Sequence, residues 1–398
     1  MSKRRRICVA VIFGGRSVEH DVSIVTGHQI MGAFPEELYE VVPVYISRDG
    51  AWFTGDPLLK LSSFENKDLP QLEGVKSCLL SPDARHHGLI VNPLAGRFSK
   101  SAVKRIDVAF PALHGTHGED GSVQGLFELA DIPYAGYATL GSALTNDKAM
   151  TKMVLRQADV PVLEDFVFSR ESWLNHPDQV LEEIQQSLAF PLFIKPATLG
   201  SSIGISRADS LPLLRAGIDI AANFDRRIIV EPAIVDGIEI NCSVIGFGGE
   251  FQASALEQPL SWDEFLSYED KYLRGDEGMK SAERIIPAPV SDVLTKRLQQ
   301  LSLRAFQAVD GRGIARIDFL VRPEQDEIYL NEINTMPGSL ALYLWREEGL
   351  SPSQLVQRLV ELAREAHAEK RRNIYDYQSN LVSVASQRGI KGGKGAKS

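Results

Sequence analysis

The sequence predicts an α/β protein whose N-terminal part is an open, mostly parallel sheet with functional loops at the carboxyl ends of its strands. Three observations lead there. Ile7–Phe13 is an apolar run without alternation, as expected of a parallel strand buried on both faces. Strand and helix signals alternate through the first third of the chain, with turns at the strand ends. The composition, 44% hydrophobic and 24% charged over 398 residues, is ordinary for a soluble globular chain. At roughly 150 residues per domain, the length allows two or three domains.

The elements follow in order. Gly14-Gly15 ends the first strand, Asp21–Phe34 reads as a helix, and Pro35 precedes a second strand over Glu40–Ile46. Asp107–Ala112 is another apolar strand, ending at a loop rich in Gly and His. Val123–Ala130 is a helix, and Pro133–Gly136 begins a short extended piece. From about Asp147 the style changes: the helix Asp147–Ala158 precedes the β-rich segments Phe190–Lys195, Ile228–Glu231 and Glu239–Gly246. Gln258–Arg284 is polar and weakly periodic, which predicts mostly loop. Asp292–Val309 is a strong helix, Arg316–Leu320 and Ile328–Asn334 are strand-like, and Ser351–Lys370 is an amphipathic helix. Boundaries near 146 and 236 divide the chain, and 371–398 is a basic tail expected to be disordered.

Lys and Arg number 43 against 52 Asp and Glu, a net charge of −9 that argues against nucleic acid as the main partner. The charge is uneven. From Lys370 onward seven basic residues (Lys370, Arg371, Arg372, Arg388, Lys391, Lys394, Lys397) face one acid, Asp376. Cys8, Cys78 and Cys242 are odd in number and widely spaced, which fits reduced thiols in a cytoplasmic protein. Lys3–Arg6 before an apolar run resembles the start of a signal peptide. That run is too short and lacks a small-residue cleavage site, so a buried strand is expected. No run reaches the roughly 18 apolar residues of a membrane span.

The most informative segment is Arg316–Asn334. A turn centred near Gln325 sets Asp318 opposite Glu332 and Arg316 opposite Asn334, all on one face of a hairpin, with Ile317, Phe319 and Ile333 on the other. Facing carboxylates repel. A divalent cation with all-oxygen ligands, Mg²⁺ or Mn²⁺, resolves the conflict; Arg316 neutralising Asp318 is the alternative. Lys195 ends a strand and leads into Pro196–Gly204, where two glycines and two serines offer N–H groups and hydroxyls to phosphate oxygens. Lys148, at a helix start, adds a second cation. Glu231 and Pro232 stop an apolar strand and free backbone groups for a ligand edge, and Glu239 would accept from ribose hydroxyls. Gly393–Ser398 is no P-loop, because the chain stops where the phosphate-binding helix would begin. Gly246–Gly249 lacks the third glycine of a dinucleotide fingerprint.

These residues carry a resemblance. Gly14-Gly15-Arg16-Ser17-Val18-Glu19-His20-Asp21-Val22-Ser23 resembles the N-terminal signature of the D-alanine–D-alanine ligases, members of the ATP-grasp superfamily. Leu113-His114-Gly115 with Gly118-Glu119-Asp120-Gly121 is similar to the same family, as are Lys195-Pro196 with Gly200–Gly204 and Tyr268–Tyr272. Arg316-Ile317-Asp318 and Glu332–Gly338 complete the family order. The resemblance implies a three-domain α/β ATP-grasp fold. A Rossmann-like N-terminal domain would span 1–146, a central subdomain 147–235 and a C-terminal catalytic domain 236–370, with ATP between the last two.

Carried over position by position, the resemblance implies that Lys148, Lys195 and Ser202 bind phosphates, that the backbone at Glu231 and Ile234 faces adenine, and that Glu239 meets the ribose. Asp318, Glu332 and Asn334 would hold two Mg²⁺. Glu19 would anchor the first D-alanine with Ser201 and Tyr272, near Val18 and His114. Lys271 would reach the transferred phosphate from a closing loop, and Arg316 with the Gly338 backbone would stabilise the oxyanion. The implied reaction activates one D-alanine carboxylate as an acyl phosphate, which the amine of a second D-alanine attacks, for peptidoglycan precursors; a homodimer is also implied. Family members commonly continue Pro-Gly-Met/Phe-Thr-Ser after the hairpin. Here Pro337-Gly338 is followed by Ser339–Trp345, so Ser339, Tyr343 and Leu344 are the candidates for the second substrate, whose identity D-serine or another amine would also fit. Tyr272 resembles the members that make D-alanyl-D-alanine. A catalytically inactive nucleotide-binding protein is the reading from a different class. His114 and His117 read as substrate loop rather than zinc site, with Glu119 and Asp120 suited to the N-terminus of the next helix.

Overall fold

The computed structural model describes residues 5–65, 69–94, 100–200, 202–260, 284–375, 377 and 379–388. The first sheet holds β1 (Ile7–Gly14), β2 (Tyr39–Ile46), β3 (Trp52–Thr54), β4 (Lys76–Leu80), β5 (Gly88–Val91), β6 (Ala102–Arg105) and β7 (Val108–Pro111), in the order β6-β5-β4-β3-β2-β1-β7. Among the described strands, parallel pairing joins β2, β1 and β7, and Ala109 of β7 makes one further parallel bridge, to Tyr134. The other four strands add antiparallel, which corrects the expectation of a mostly parallel sheet. A parallel neighbour needs a crossover of a dozen or more residues, usually helical. Between β3 and β4 the described chain offers only short 3₁₀ turns.

The second sheet is antiparallel throughout: β8 (Phe166–Ser169), β9 (Leu192–Pro196), β10 (Ser206–Ala208) and β11 (Arg227–Pro232), in the order β10-β9-β11-β8. Helices Pro177–Ser187 and Leu211–Phe224 close its core through Val180, Leu181, Ile184, Leu214 and Ile218. The third sheet, also antiparallel, holds β12 (Ile238–Phe247), β13 (Glu250–Pro259), β14 (Arg284–Ile285), β15 (Gly313–Arg322) and β16 (Glu327–Asn334), in the order β14-β13-β12-β15-β16. β13 and β14 occupy ends of the stretch expected to be loop or lie just before it. The rest of that stretch, 261–283, lies outside the described residues. Gly248-Gly249 is the tight turn joining β12 to β13, both residues at positive φ, as hairpin turns of two residues require.

The chain's end returns to its beginning. Helix Pro352–Lys370 buries Leu355, Val356, Leu359, Val360 and Leu362 in one core with Val9, Val11 and Phe13 of β1. His367 and Asp131 sit 3.0 Å apart, and Lys370 pairs with Glu128, so polar contacts fasten the same helix to Ser122–Leu129. Helix Ser351 onward is opened by a capping box with Gln354. The expected disordered tail contains a helix over Leu381–Arg388; Gly389–Ser398 lies outside the described residues.

Trp345 is fully buried, and its indole N–H donates to Ser243 Oγ at 3.0 Å. Trp345→Ala removes that contact and leaves a large cavity, and is expected to cost about 3–5 kcal/mol, read from urea unfolding midpoints.

Candidate active site

The turn after β1 is built by side chains of the following helix, His20–Ala33. Gly14 N–H donates to Ser23 Oγ at 2.8 Å, and Ser23 O–H donates to the Ala112 carbonyl at 2.6 Å, tying the ends of β1 and β7 together. His20 Nδ1–H donates to the Gly15 carbonyl at 2.7 Å. Nε2 is therefore the acceptor, taking the Tyr45 hydroxyl at 3.2 Å, and burial lowers the imidazole's pKa, which keeps it neutral. Glu19 stands at the N-terminal end of this helix and is 8% exposed. Gly115 stands at φ +68°, a conformation that side chains rarely adopt, and a Cβ there would lie 2.5 Å from Glu19 Oε2, so glycine lets the loop after β7 close on Glu19 as it stands. From the other side Gly200 approaches the same oxygen, at 3.8 Å from its Cβ position.

Two further residues of the loop after β7 reach across to the segment after β16. Glu119 accepts from Gly115 N at 2.8 Å, Met336 N at 2.9 Å and Thr335 Oγ1 at 3.3 Å. Burial, then the Glu19 charge, push its carboxyl up to about 8 against those bonds. His114 is hydrogen-bonded to Thr26 Oγ1 at 3.0 Å and to the Met336 backbone, and burial pushes it down to about 4. Asp120, as expected, caps the entry to the next helix through His117 N and Ser122 N. Glu119 does not; it joins the loop after β7 to the segment after β16 instead.

Lys152, Lys195 and Glu231 form one cluster of charges, with Lys152 and Glu231 buried and Lys195 partly so. Lys195 donates to Glu231 Oε2 at 2.7 Å, and Lys152 pairs with the other oxygen. Burial opposes the charge on Glu231, but the two ammonium groups outweigh it and hold the carboxyl down to about 2. Lys148 donates to the Leu199 carbonyl; burial lowers its pKa, and the Glu332 charge opposes that fall. Glu231 is thus an interior side chain at 2% exposure rather than a surface charge. β11 also stays paired with β9 through Pro232, correcting the expectation that pairing ends at Glu231. Towards β8 the ladder stops at Val230, and that edge of Glu231 is free of it. Ser202 holds φ +59° in the glycine–serine loop, and Ile234 lies in the connection to β12.

The hairpin of β15 and β16 pairs Arg316 with Asn334 and Asp318 with Glu332, as the sequence predicts. Beyond Asp318 the register slips by one, so that Phe319 faces Leu330. The bulged residue is Asn331, whose Oδ1 accepts from Lys195 Nζ at 3.4 Å. Arg316 holds Asp318 with two bonds of 2.7 Å, and Asn334 Nδ2 donates to Asp318 at 2.8 Å and to Glu332 at 3.3 Å. Burial raises Asp318, Arg316 lowers it, Glu332 raises it again, and the carboxyl ends above its ordinary range. Glu239 opens to solvent at the rim, where the surrounding protein and then Asp318 raise it to about 7. Among the described residues no three His, Cys, Asp or Glu side chains are arranged for a metal. The donor set still fits a divalent cation. An amide N–H₂ now stands between two carboxylates, and rotating the Asn334 amide would present its oxygen to the same place, giving an all-oxygen set.

After Gly338, three successive residues without the freedom of glycine, Ser339, Leu340 and Ala341, take left-handed φ of 52°, 54° and 48°. Burial of Leu340 and Ala341 holds them there. Tyr343 lies under Arg284, whose guanidinium carbon is 3.9 Å from the ring centre, and Arg284 pairs with Glu257 at 3.2 Å. Leu344 is fully buried, so its side chain belongs to the core, whereas Val18 is 53% exposed. Ser201, Lys271 and Tyr272 lie outside the described residues. Sequence reasoning missed Lys152, Asn331, Glu257 and Arg284. Lys152 had a signal, four residues after Lys148 on one helix face.

Breaking the Glu231 triad has a pH signature. A carboxyl held at about 2 against an ordinary 4.5 contributes stability that is complete above about pH 4.5 and lost as pH falls toward 2. Glu231→Gln is expected to cost about 3–5 kcal/mol near neutrality. Chemical unfolding of both chains from pH 6 to 3 should show the gap narrowing below about 4.5.

Known proteins share this architecture. Residues 8–137 match the family described as D-ala D-ala ligase N-terminus, and residues 154–361 that described as D-ala D-ala ligase C-terminus. The D-alanine–D-alanine ligase of Natranaerobius thermophilus is 37% identical over 381 residues, 94% of this chain and 100% of its own. That of Heliobacterium modesticaldum is 39% identical over 370 residues, covering 92% and 96%. Among solved structures, the VanG D-Ala:D-Ser ligase of Enterococcus faecalis aligns with a TM-score of 0.77 at 30% identity, over 90% of this chain and 100% of its own. The D-alanine–D-alanine ligase of Coxiella burnetii aligns at 0.76 and 27% identity, over 96% and 100%. With both halves matched and relatives aligned over nearly their whole lengths, this chain belongs to the D-alanine–D-alanine ligase family.

Proposed function

We propose that this protein is an ATP-dependent ligase that joins two D-alanines into D-alanyl-D-alanine for peptidoglycan precursors. The observation that carries the reading is the Lys195–Asn331 contact. It sets the cationic wall of the second sheet against the carboxylate hairpin of the third, so that cations and acids line one cleft. A carboxylate is a poor electrophile, and activating it needs phosphoryl transfer. Lys148 and Lys195 would neutralise the nucleotide phosphates, with Ser202 and the backbone of its loop. The Glu231 edge and Ile234 would meet the base, and Glu239 the ribose. Glu19 would hold the ammonium of the first D-alanine, oriented by the Gly115 loop and by His114. Arg316 and the Gly338 backbone would stabilise the oxyanion as the second amine attacks the acyl phosphate. Asp318, Glu332 and Asn334 would hold divalent cations, two Mg²⁺ or Mn²⁺, which supply charge neutralisation on phosphate oxygens.

A second reading has its own support. The left-handed turn and the Arg284–Tyr343 stack occupy the stretch where the family usually presents hydroxyls, so an acceptor other than D-alanine, D-serine included, fits the same chemistry.

Phosphate release with a panel of acceptors separates the two. Turnover with D-alanine alone is expected, and its absence alongside turnover with D-serine would favour the second reading. Glu332→Gln should lower turnover by about 10²–10³-fold or more while leaving the unfolding midpoint nearly unchanged; an unchanged rate would refute the hairpin's role.

A further inference from the structure

Glu257, Arg284 and Tyr343 make a second polar cluster beside the carboxylate hairpin. Cross-strand register sets Glu257 of β13 opposite Asn241 of β12, Asn241 opposite Asp318 of β15, and Asp318 opposite Glu332 of β16. Directly paired residues share a face, so Glu257 lies in one row with the hairpin acids. It is 3% exposed, and Asn241 beside it is equally buried. A carboxylate this deep needs partners. Arg284 supplies one at 3.2 Å, and the Tyr343 hydroxyl donates a hydrogen bond as well. Burial pushes the phenol up to about 12 against the pull of Arg316, so it keeps its proton for that bond. Arg284 is pinned twice, by its pairing with Glu257 and by its face on the Tyr343 ring, its guanidinium carbon 3.9 Å from the ring centre. Its side chain still keeps 23% exposure. β14 pairs Arg284 with Pro259, two residues along β13 from Glu257, which fixes the backbone that carries it.

We propose that Arg284, set in place by Glu257 and Tyr343, binds the carboxylate of the acceptor amino acid and thereby selects the acceptor. The proposal rests on the ligase reading above. An acceptor that attacks through its amine brings a carboxylate that takes no part in the new bond. That charge must be matched beside a hairpin that already carries Asp318 and Glu332. Arg316 is committed to Asp318 by two bonds of 2.7 Å. Arg284 is the second guanidinium acting on Tyr343, and it is planar and partly open to solvent, the form that meets a carboxylate edge to edge. Tyr343 belongs to the stretch after Gly338 proposed for the second substrate. Leu344 next to it is fully buried, so Tyr343 rather than Leu344 carries the polar contact there. Glu257 is a positioning residue, since one carboxylate fixes both the cation and the ring on which the cation rests.

The test is a competition between two acceptors in one reaction, D-alanine and D-alaninamide, with D-alanine as the donor. The amide has no carboxylate to activate, so it enters only as acceptor and yields D-alanyl-D-alaninamide. The ratio of dipeptide to dipeptide amide is set by the molecules that turn over. Loss of folded enzyme therefore lowers both products and leaves the ratio alone. Relative to the wild-type chain, Arg284→Gln should lower the ratio about ten-fold or more. Glu257→Gln and Tyr343→Phe, each removing a support rather than the cation, should lower it about three-fold or more. Arg284→Lys keeps the charge and should recover part of the ratio lost in Arg284→Gln. Should Arg284→Gln form no product, Arg284→Lys and Tyr343→Phe decide by the same ratio. Wild-type turnover with a ratio unchanged in the active variants would overturn the proposal alone. A wild-type chain that forms neither product fails the ligase reading, and the proposal with it.

Discussion

Asp318 and Glu332 face each other across an antiparallel pair in a largely buried site, and most of the catalytic geometry can be traced to the need to keep them together. Directly opposed carboxylates destabilise a sheet. Here Arg316 grips one of them from two residues away, and the Asn334 amide spans both. The bulge next to them serves the same arrangement. It returns Leu330 and Ile328 to the core, so that Phe319 has an apolar partner, and leaves Asn331 and Glu332 both directed to the cleft. Lys195 then meets Asn331, and the second sheet is held against the third at the place where phosphate charge would gather. A single like-charge pairing thus sets the positions of an arginine, an asparagine, a bulge and a lysine.

The hairpin was legible because its pattern is local. Arg316, Asp318, Glu332 and Asn334 share one face by period two, and the turn near Gln325 pins the register. The bulge also left a trace, since Asn331 and Glu332 are adjacent polar residues and strict alternation would have turned Leu330 and Ile328 to the cleft. Other features had no local signature. Glu231 ends an apolar strand in the same way a surface charge would, and only the approach of Lys152 and Lys195 makes it an interior anion. Glu119 and His114 sit in a Gly-rich loop whose partners, Met336 and Thr335, lie over two hundred residues away. The parallel part of the first sheet was readable from the doubly buried run of β1. β3 to β6 are short and separated by irregular chain, where pattern carries little information about direction.

Left-handed backbone at Ser339, Leu340 and Ala341 is sustained by burial on both sides of it: Met336 is held by Glu119, while Leu344 and Trp345 are locked in the core. The segment after Gly338 is therefore stiff at both ends, and the shape of its middle is imposed by packing rather than chosen by its own residues. That explains why its sequence, apart from the family pattern, said so little about its conformation.

The return of helix Pro352–Lys370 to the face of β1 has a consequence for how the molecule comes into being. Val9, Val11 and Phe13 leave the ribosome first, yet the residues that cover them, Leu355 to Ala363, are among the last of the folded body to emerge. Until then the earliest strand has an uncovered apolar face, and the core it belongs to has very high contact order, which slows its completion. The second sheet, whose core draws on 166–230 alone, has no such wait. Completion of this core is therefore an act of closure: helix Pro352–Lys370 docks on β1, and only with that docking do the loops after β1 and β7 acquire the rigid floor from which they meet the rest of the site.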